Sequence, residues 1–111
     1  MKLMVFILNK EEFLEEILEA FLELNIQGAT ILDSVGMGSI LAQDIPIFAG
    51  FRNLLQGSRP ANKTIISLLE DEQVTPALQA IEQVVGSLQE QGNGIFFTLP
   101  VENVHGFRKI F

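Results

Sequence analysis

From Lys2 to Leu8 the chain is apolar with almost no interruption, and the run stops at Asn9. A stretch this short and apolar predicts a strand buried on both faces. Asn9-Lys10-Glu11-Glu12 predicts a helix start, with Asn9 accepting from free N–H groups of the first turn and Glu12 at the capping-box position. Phe13, Leu14, Ile17, Leu18, Phe21 and Leu22 then recur at helical spacing. Glu11, Glu15, Glu16, Glu19 and Glu23 cover the other side, a pattern that fits a solvated face rather than paired catalytic carboxylates. Asn25 and Gly28 can end the helix and turn the chain.

Further strands are predicted over 30–35, 64–69 and 95–99, the last ended or placed at a sheet edge by Pro100. A tight turn over 90–94 precedes that last strand. The second helix is predicted over 71–88, with Val74, Leu78, Ile81, Val84 or Val85, and Leu88 on one face. Its start has two readings: Asp71 caps it and Pro76 disturbs the second turn, or Thr75 caps it and Pro76 takes the tolerated first position. Between the second and third strands, 36–63 reads as a long loop that breaks at Gly36-Met37-Gly38. Loops of this length in a compact domain are uncommon and are usually functional or disordered. After Pro46, the spacing of Phe48, Phe51, Leu54 and Leu55 predicts a short amphipathic helix. Its apolar face packs on the scaffold or a neighbouring subunit, or docks on a partner protein or membrane surface.

The order strand, helix, strand, strand, helix, strand predicts an α+β fold, a ferredoxin-like plait (βαββαβ) with both helices on one face of an antiparallel sheet. One domain spans 1–111. The helices leave the other sheet face bare, and apolar residues on both strand faces require a cover there. A trimer whose sheets face a common axis supplies one.

Composition adds three constraints. Hydrophobic residues at 48% and charged residues at 19% allow a core and argue against disorder. A mean hydropathy of +0.33 is high for a small monomer and points to a subunit interface. A net charge of −7 argues against bulk nucleic-acid binding. The charge is uneven: Arg52, Arg59 and Lys63 against Asp44 give the loop +2, and Arg108 and Lys109 give the tail another +2. The remainder therefore carries −11. A basic loop on an acidic body suits an anionic ligand or partner. With no cysteine there is no disulfide, no thiolate nucleophile and no cysteine-based zinc site. The apolar start is too short for a signal peptide or a membrane span, so the expected location is the cytoplasm. No Ser-His-Asp, Cys-His or metal-ligand constellation is apparent, and the lone His105 reads as a surface or interface histidine, so an enzyme is not expected.

Two motifs carry a resemblance. Gly28-Ala29-Thr30 followed by Val35-Gly36-Met37-Gly38 is similar to the second strand of the P-II nitrogen-regulatory family and the Gly-aromatic-Gly that opens its long T-loop. Gly92-Asn93-Gly94-Ile95-Phe96-Phe97 resembles that family's Gly-Asp-Gly-Lys-Ile-Phe at the turn into the fourth strand. The resemblance implies a homotrimeric signal transducer that binds a small anionic ligand, such as an adenine nucleotide, in clefts between subunits. By position it implies ligand contacts at Thr30, Gly36, Met37, Gly38, Ile65, Gly92, Asn93, Gly94 and Arg108. It implies partner contacts through the loop at Phe48, Phe51, Arg52, Leu54, Leu55 and Arg59, on a regulated transporter or metabolic enzyme. Glycines let backbone N–H groups approach an anion, and basic side chains neutralise it.

The chain also departs from the family. The arginine after the Gly-x-Gly is Ser39 here, and the lysine before the glycine turn falls on Glu90. The two arginines beyond the fourth strand fall near Asn103 and His105-Gly106, with Arg108 the nearest replacement. The loop has no tyrosine, which excludes nucleotidylation at the usual site. The alternatives are a ligand-independent trimeric interaction module, favoured by the loop's apolar face, and a CutA-like protein linked to divalent cations. The sequence names no cofactor.

Overall fold

A computed structural model of the protein describes residues 1–44 and 61–107. Strands β1 (Lys2–Leu8), β2 (Thr30–Ser34), β3 (Asn62–Leu69) and β4 (Ile95–Pro100) form one sheet in the order β2-β3-β1-β4. Every neighbouring pair is antiparallel. Helices α1 (Leu14–Glu23) and α3 (Val74–Val85) supply the two crossovers, and α2 (Met37–Asp44) follows β2. This is the expected ferredoxin-like plait.

Antiparallel partners share a sheet face, so the register sorts the strands. Met4, Phe6 and Leu8 of β1 and Ile65 and Leu69 of β3 are buried with Ile17 and Phe21 of α1 and Ala77, Ile81 and Val85 of α3. Burying a side chain such as Phe21 contributes about 2–3 kcal/mol each time. Neither α1 nor α3 covers the opposite face. Its rows, read across the sheet from β3 to β4, are Leu68-Leu3-Leu99, Ile66-Val5-Phe97 and Thr64-Ile7-Ile95. Thr30 and Leu32 extend the second and third of these rows onto β2. Ile95 is 59% exposed, Leu99 45% and Phe97 43%, values that leave a broad apolar face open to solvent in the single chain.

Several local expectations change. Asn9 does not cap the first helix. A 3-10 turn, Glu11–Phe13, begins after Lys10, and its start carries no side-chain capping bond. The Asn9 amide is engaged elsewhere, as described below. Leu22 lies off the buried stripe and is 58% exposed, because the stripe centres on Ile17 and Phe21 and a one-residue step turns the side chain about 100° around the helix. Asn25 ends α1 with φ 62°, a left-handed conformation that asparagine tolerates.

Neither reading of the second helix start holds. A 3-10 turn over Asp71–Gln73 leads into α3, and the Gln73 side chain organises it. Gln73 Oε1 accepts from the Glu70 N–H at 2.8 Å, and its Nε2 donates to the carbonyls of Leu24 at 3.2 Å and Asn25 at 3.3 Å. One side chain thus ties the start of the second crossover to the end of the first. Pro76 falls in the first turn of α3, where a missing N–H costs little.

The stretch 36–63 is not one loop. The Ile40 N–H donates to the Gly36 carbonyl at 3.2 Å and closes the first turn of α2, and Leu41, Ala42 and Gln43 favour its continuation. At the other end β3 begins at Asn62, so Lys63 is a strand residue. The helix predicted around Phe48, Phe51, Leu54 and Leu55 lies outside the described residues, as do Arg52, Arg59 and Arg108.

Candidate functional site

The ends of β2 and β1 and the beginnings of β3 and β4 meet at one end of the sheet. The glycine-rich segments stand there: Gly36-Met37-Gly38 beyond β2, and Gly92-Asn93-Gly94 before β4. They occupy opposite edges, however, because β3 and β1 lie between β2 and β4. Three inter-strand steps separate the edges by about 14 Å. One chain therefore does not bring its own two glycine segments together. A cleft containing both needs the β2 edge of one copy beside the β4 edge of another.

Each segment has a distinct local cause. Gly92 and Gly94 adopt φ 89° and 128°, a region that favours glycine. Between them Asn93 is buried, and its Nδ2 donates to the Ser87 carbonyl at 2.7 Å, fixing the turn to the chain that leaves α3. Gly36 and Met37 open α2, with Met37 at 76% exposure. Thr30 is exposed at the far end of β2 and shares the open face with Ile66 and Val5. Ile65 points the other way: its side chain is fully buried on the helix side, paired with Phe6, and does not contact a ligand on the open face.

The electrostatics of this end are modest. Lys63 Nζ is hydrogen-bonded and ion-paired to the Asp33 carboxylate directly across β2 and β3. That hydrogen bond, with the attraction of Asp33 and of Glu11, holds the ammonium pKa above its ordinary value. Lys63 is thus largely neutralised at the base of the 36–63 stretch, where the sequence suggested free positive charge. Glu90 is exposed beside the glycine turn, and Ser39 lies in the first turn of α2. Of the charges the sequence placed at this end, Lys63 is paired with Asp33 and Glu90 is acidic. Among the described residues no group of three His, Cys, Asp or Glu side chains is placed to hold a metal ion. No helix among them is long and apolar enough to cross a membrane.

Sequence reasoning missed a polar row beside the glycine segments. Ser34 and Asn62 stand opposite each other, and Ser34 Oγ donates to Asn62 Oδ1. Ser34 Oγ also lies 2.7 Å from Thr64 Oγ1. Asn62 Nδ2 donates to Asn9 Oδ1 at 3.4 Å, and Asn9 Nδ2 donates to the Gly92 carbonyl at 3.3 Å. The available signal was an asparagine at the head of a strand, a type depleted in strands, with a second asparagine just past β1.

Comparison with known families gives a match to the model described as nitrogen regulatory protein P-II, over residues 1–110. A search of curated proteins returned no match. Members of that family are regulators rather than enzymes, and they are generally trimers that work through partner proteins. The match extends over nearly the whole plait, with both glycine segments and the open sheet face inside it: the chain belongs to the P-II nitrogen regulatory protein family.

Proposed function

We propose that this chain is a trimeric P-II-like regulator that binds a small anionic ligand between subunits and acts on a partner protein through residues 36–63. The observation that carries the reading is the division of the glycine segments between opposite edges of a sheet whose apolar face is uncovered. Packing that face against further copies removes it from water and sets the β2 edge of one subunit beside the β4 edge of the next. Backbone N–H groups of Gly36-Met37-Gly38 and Gly92-Asn93-Gly94 then serve an anion from two sides, with Thr30 on the same face and Arg108 supplying charge. Ile65 contributes through its backbone.

The residues at the site favour a compact anion of low charge over a triphosphate, because Ser39 and Glu90 stand where the family has cations. Phe48, Phe51, Arg52, Leu54, Leu55 and Arg59 form the partner-facing part, and a cytoplasmic transporter-docking or enzyme-docking role follows from their mixed basic and apolar character. Titration calorimetry with ATP, ADP, 2-oxoglutarate and bicarbonate tests the reading. Binding of a small carboxylate or bicarbonate, weakened by Gly36→Val, is expected; no heat with any of the four contradicts it.

A second reading is a ligand-independent interaction module. The exposed Met37 and Ile40 at the start of α2 favour it. Capture of the same partner with and without added ligand, using full chain and a variant lacking 46–59, separates the two.

A further inference from the structure

The polar row closes the apolar face at its glycine end, and its donors and acceptors run in one direction. Asn62 Oδ1 takes the single hydroxyl proton of Ser34, so the 2.7 Å contact between Ser34 and Thr64 is made by the Thr64 hydroxyl donating to Ser34 Oγ. Asn62 Nδ2 then donates to Asn9 Oδ1, and Asn9 Nδ2 to the Gly92 carbonyl. The sequence of donors is Thr64, Ser34, Asn62, Asn9, ending on a backbone carbonyl. It crosses all four strands' ends, from the last residue of β2 to the turn before β4. Hydrogen bonds arranged head to tail polarise one another, so each link depends on the one before it. Asn62 is only 7% exposed, so a lost partner leaves its amide without water to replace it. The links differ in length: the hydroxyl end is tight, and the two amide links at 3.4 and 3.3 Å are the first to yield.

We propose that Thr64, Ser34, Asn62 and Asn9 form a directional hydrogen-bonded latch that couples the end of β2 and the start of β3 to the Gly92–Gly94 turn on the opposite edge. Asn62 is the positioning residue, because it is the buried link that joins the Ser34 hydroxyl to the Asn9 amide. Under the reading above, in which the glycine turn borders the ligand cleft, the latch carries occupancy of the turn to the roots of the 36–63 stretch. The coupling itself requires no ligand.

Amide hydrogen exchange on the full-length protein without ligand tests it, so its failure is distinguishable from failure of the ligand reading. Ser34→Ala removes the second donor about 14 Å from the turn. It is expected to speed exchange at Asn93 and Gly94 by about fivefold, the effect of weakening one buried hydrogen bond. Asn62→Asp keeps the acceptor for Ser34 but removes the donor to Asn9, and is expected to speed exchange at the turn while sparing Val35 and Gly36. Ser67→Ala is the control, since that hydroxyl donates to the Gly28 carbonyl at 2.5 Å on the helix side. If Ser34→Ala does not fold, Thr64→Val removes the first donor and takes its place. A turn that responds to these substitutions no more than to Ser67→Ala overturns the proposal.

Discussion

Gly94 lies so close to β1 that a Cβ built on it stands 2.5 Å from the Ile7 carbonyl oxygen and 2.8 Å from Phe6 Cε1. Its φ of 128° is also strained for any other residue. One of these contacts is backbone and the other is a fully buried ring, so neither gives way cheaply. Gly36 differs, with open space where its Cβ would be.

Gly94→Ala is therefore expected to destabilise the fold by about 2–4 kcal/mol, from strain and overpacking together. Gly36→Ala is expected to cost under about 1 kcal/mol. Urea unfolding of both variants checks the difference. Equal losses would mean that the two glycines share a structural role, against their different surroundings.

The buried stripe of α1 makes a second prediction. Ile17→Ala empties a fully buried position and is expected to cost about 2–4 kcal/mol. Leu22→Ala, one of the six positions of the sequence-derived face, is expected to change stability by less than about 0.5 kcal/mol. Thermal unfolding of the two variants decides the matter. A large loss at Leu22 would show that another surface covers it.

The plait was legible because its signals are periodic and local. Four apolar runs, two amphipathic helices and two glycine turns give the element order, and right-handed crossovers give the topology. What escaped was set by tertiary partners. Asn9 has the residue type and position of a helix cap, yet its amide bridges Asn62 and Gly92, residues more than fifty positions away in sequence. Gln73 looks like an ordinary polar residue in a helix start, and its reach to Leu24 and Asn25 depends on how α1 ends. The candidate site was legible as motifs but not as geometry: Gly36 and Gly92 belong to opposite sheet edges, and Ile65 turns into the core.

The Lys63–Asp33 pair predicts a pH dependence. Asp33 raises the Lys63 pKa in the folded chain, so the pair's contribution is fully present below the ordinary lysine value of 10.5. It is lost as pH rises through the raised folded value. Melting temperatures of the wild type and Asp33→Asn should differ slightly at pH 7 and converge once the pH has passed the raised lysine value. Added salt should narrow the gap at pH 7, since the pair is exposed. A gap that widens with pH would contradict the assignment.

The proposed trimer depends most on the open sheet face. Phe97 stands midway along the edge strand β4, in the row it forms with Val5 and Ile66, and is 43% exposed in the single chain. Light scattering coupled to size exclusion measures the consequence directly. The predicted mass is about three times the 12.3 kDa of one chain, falling to a single folded chain in Phe97→Asp. A wild-type protein that elutes at 12.3 kDa across the micromolar range would contradict the trimer and, with it, a ligand cleft between subunits.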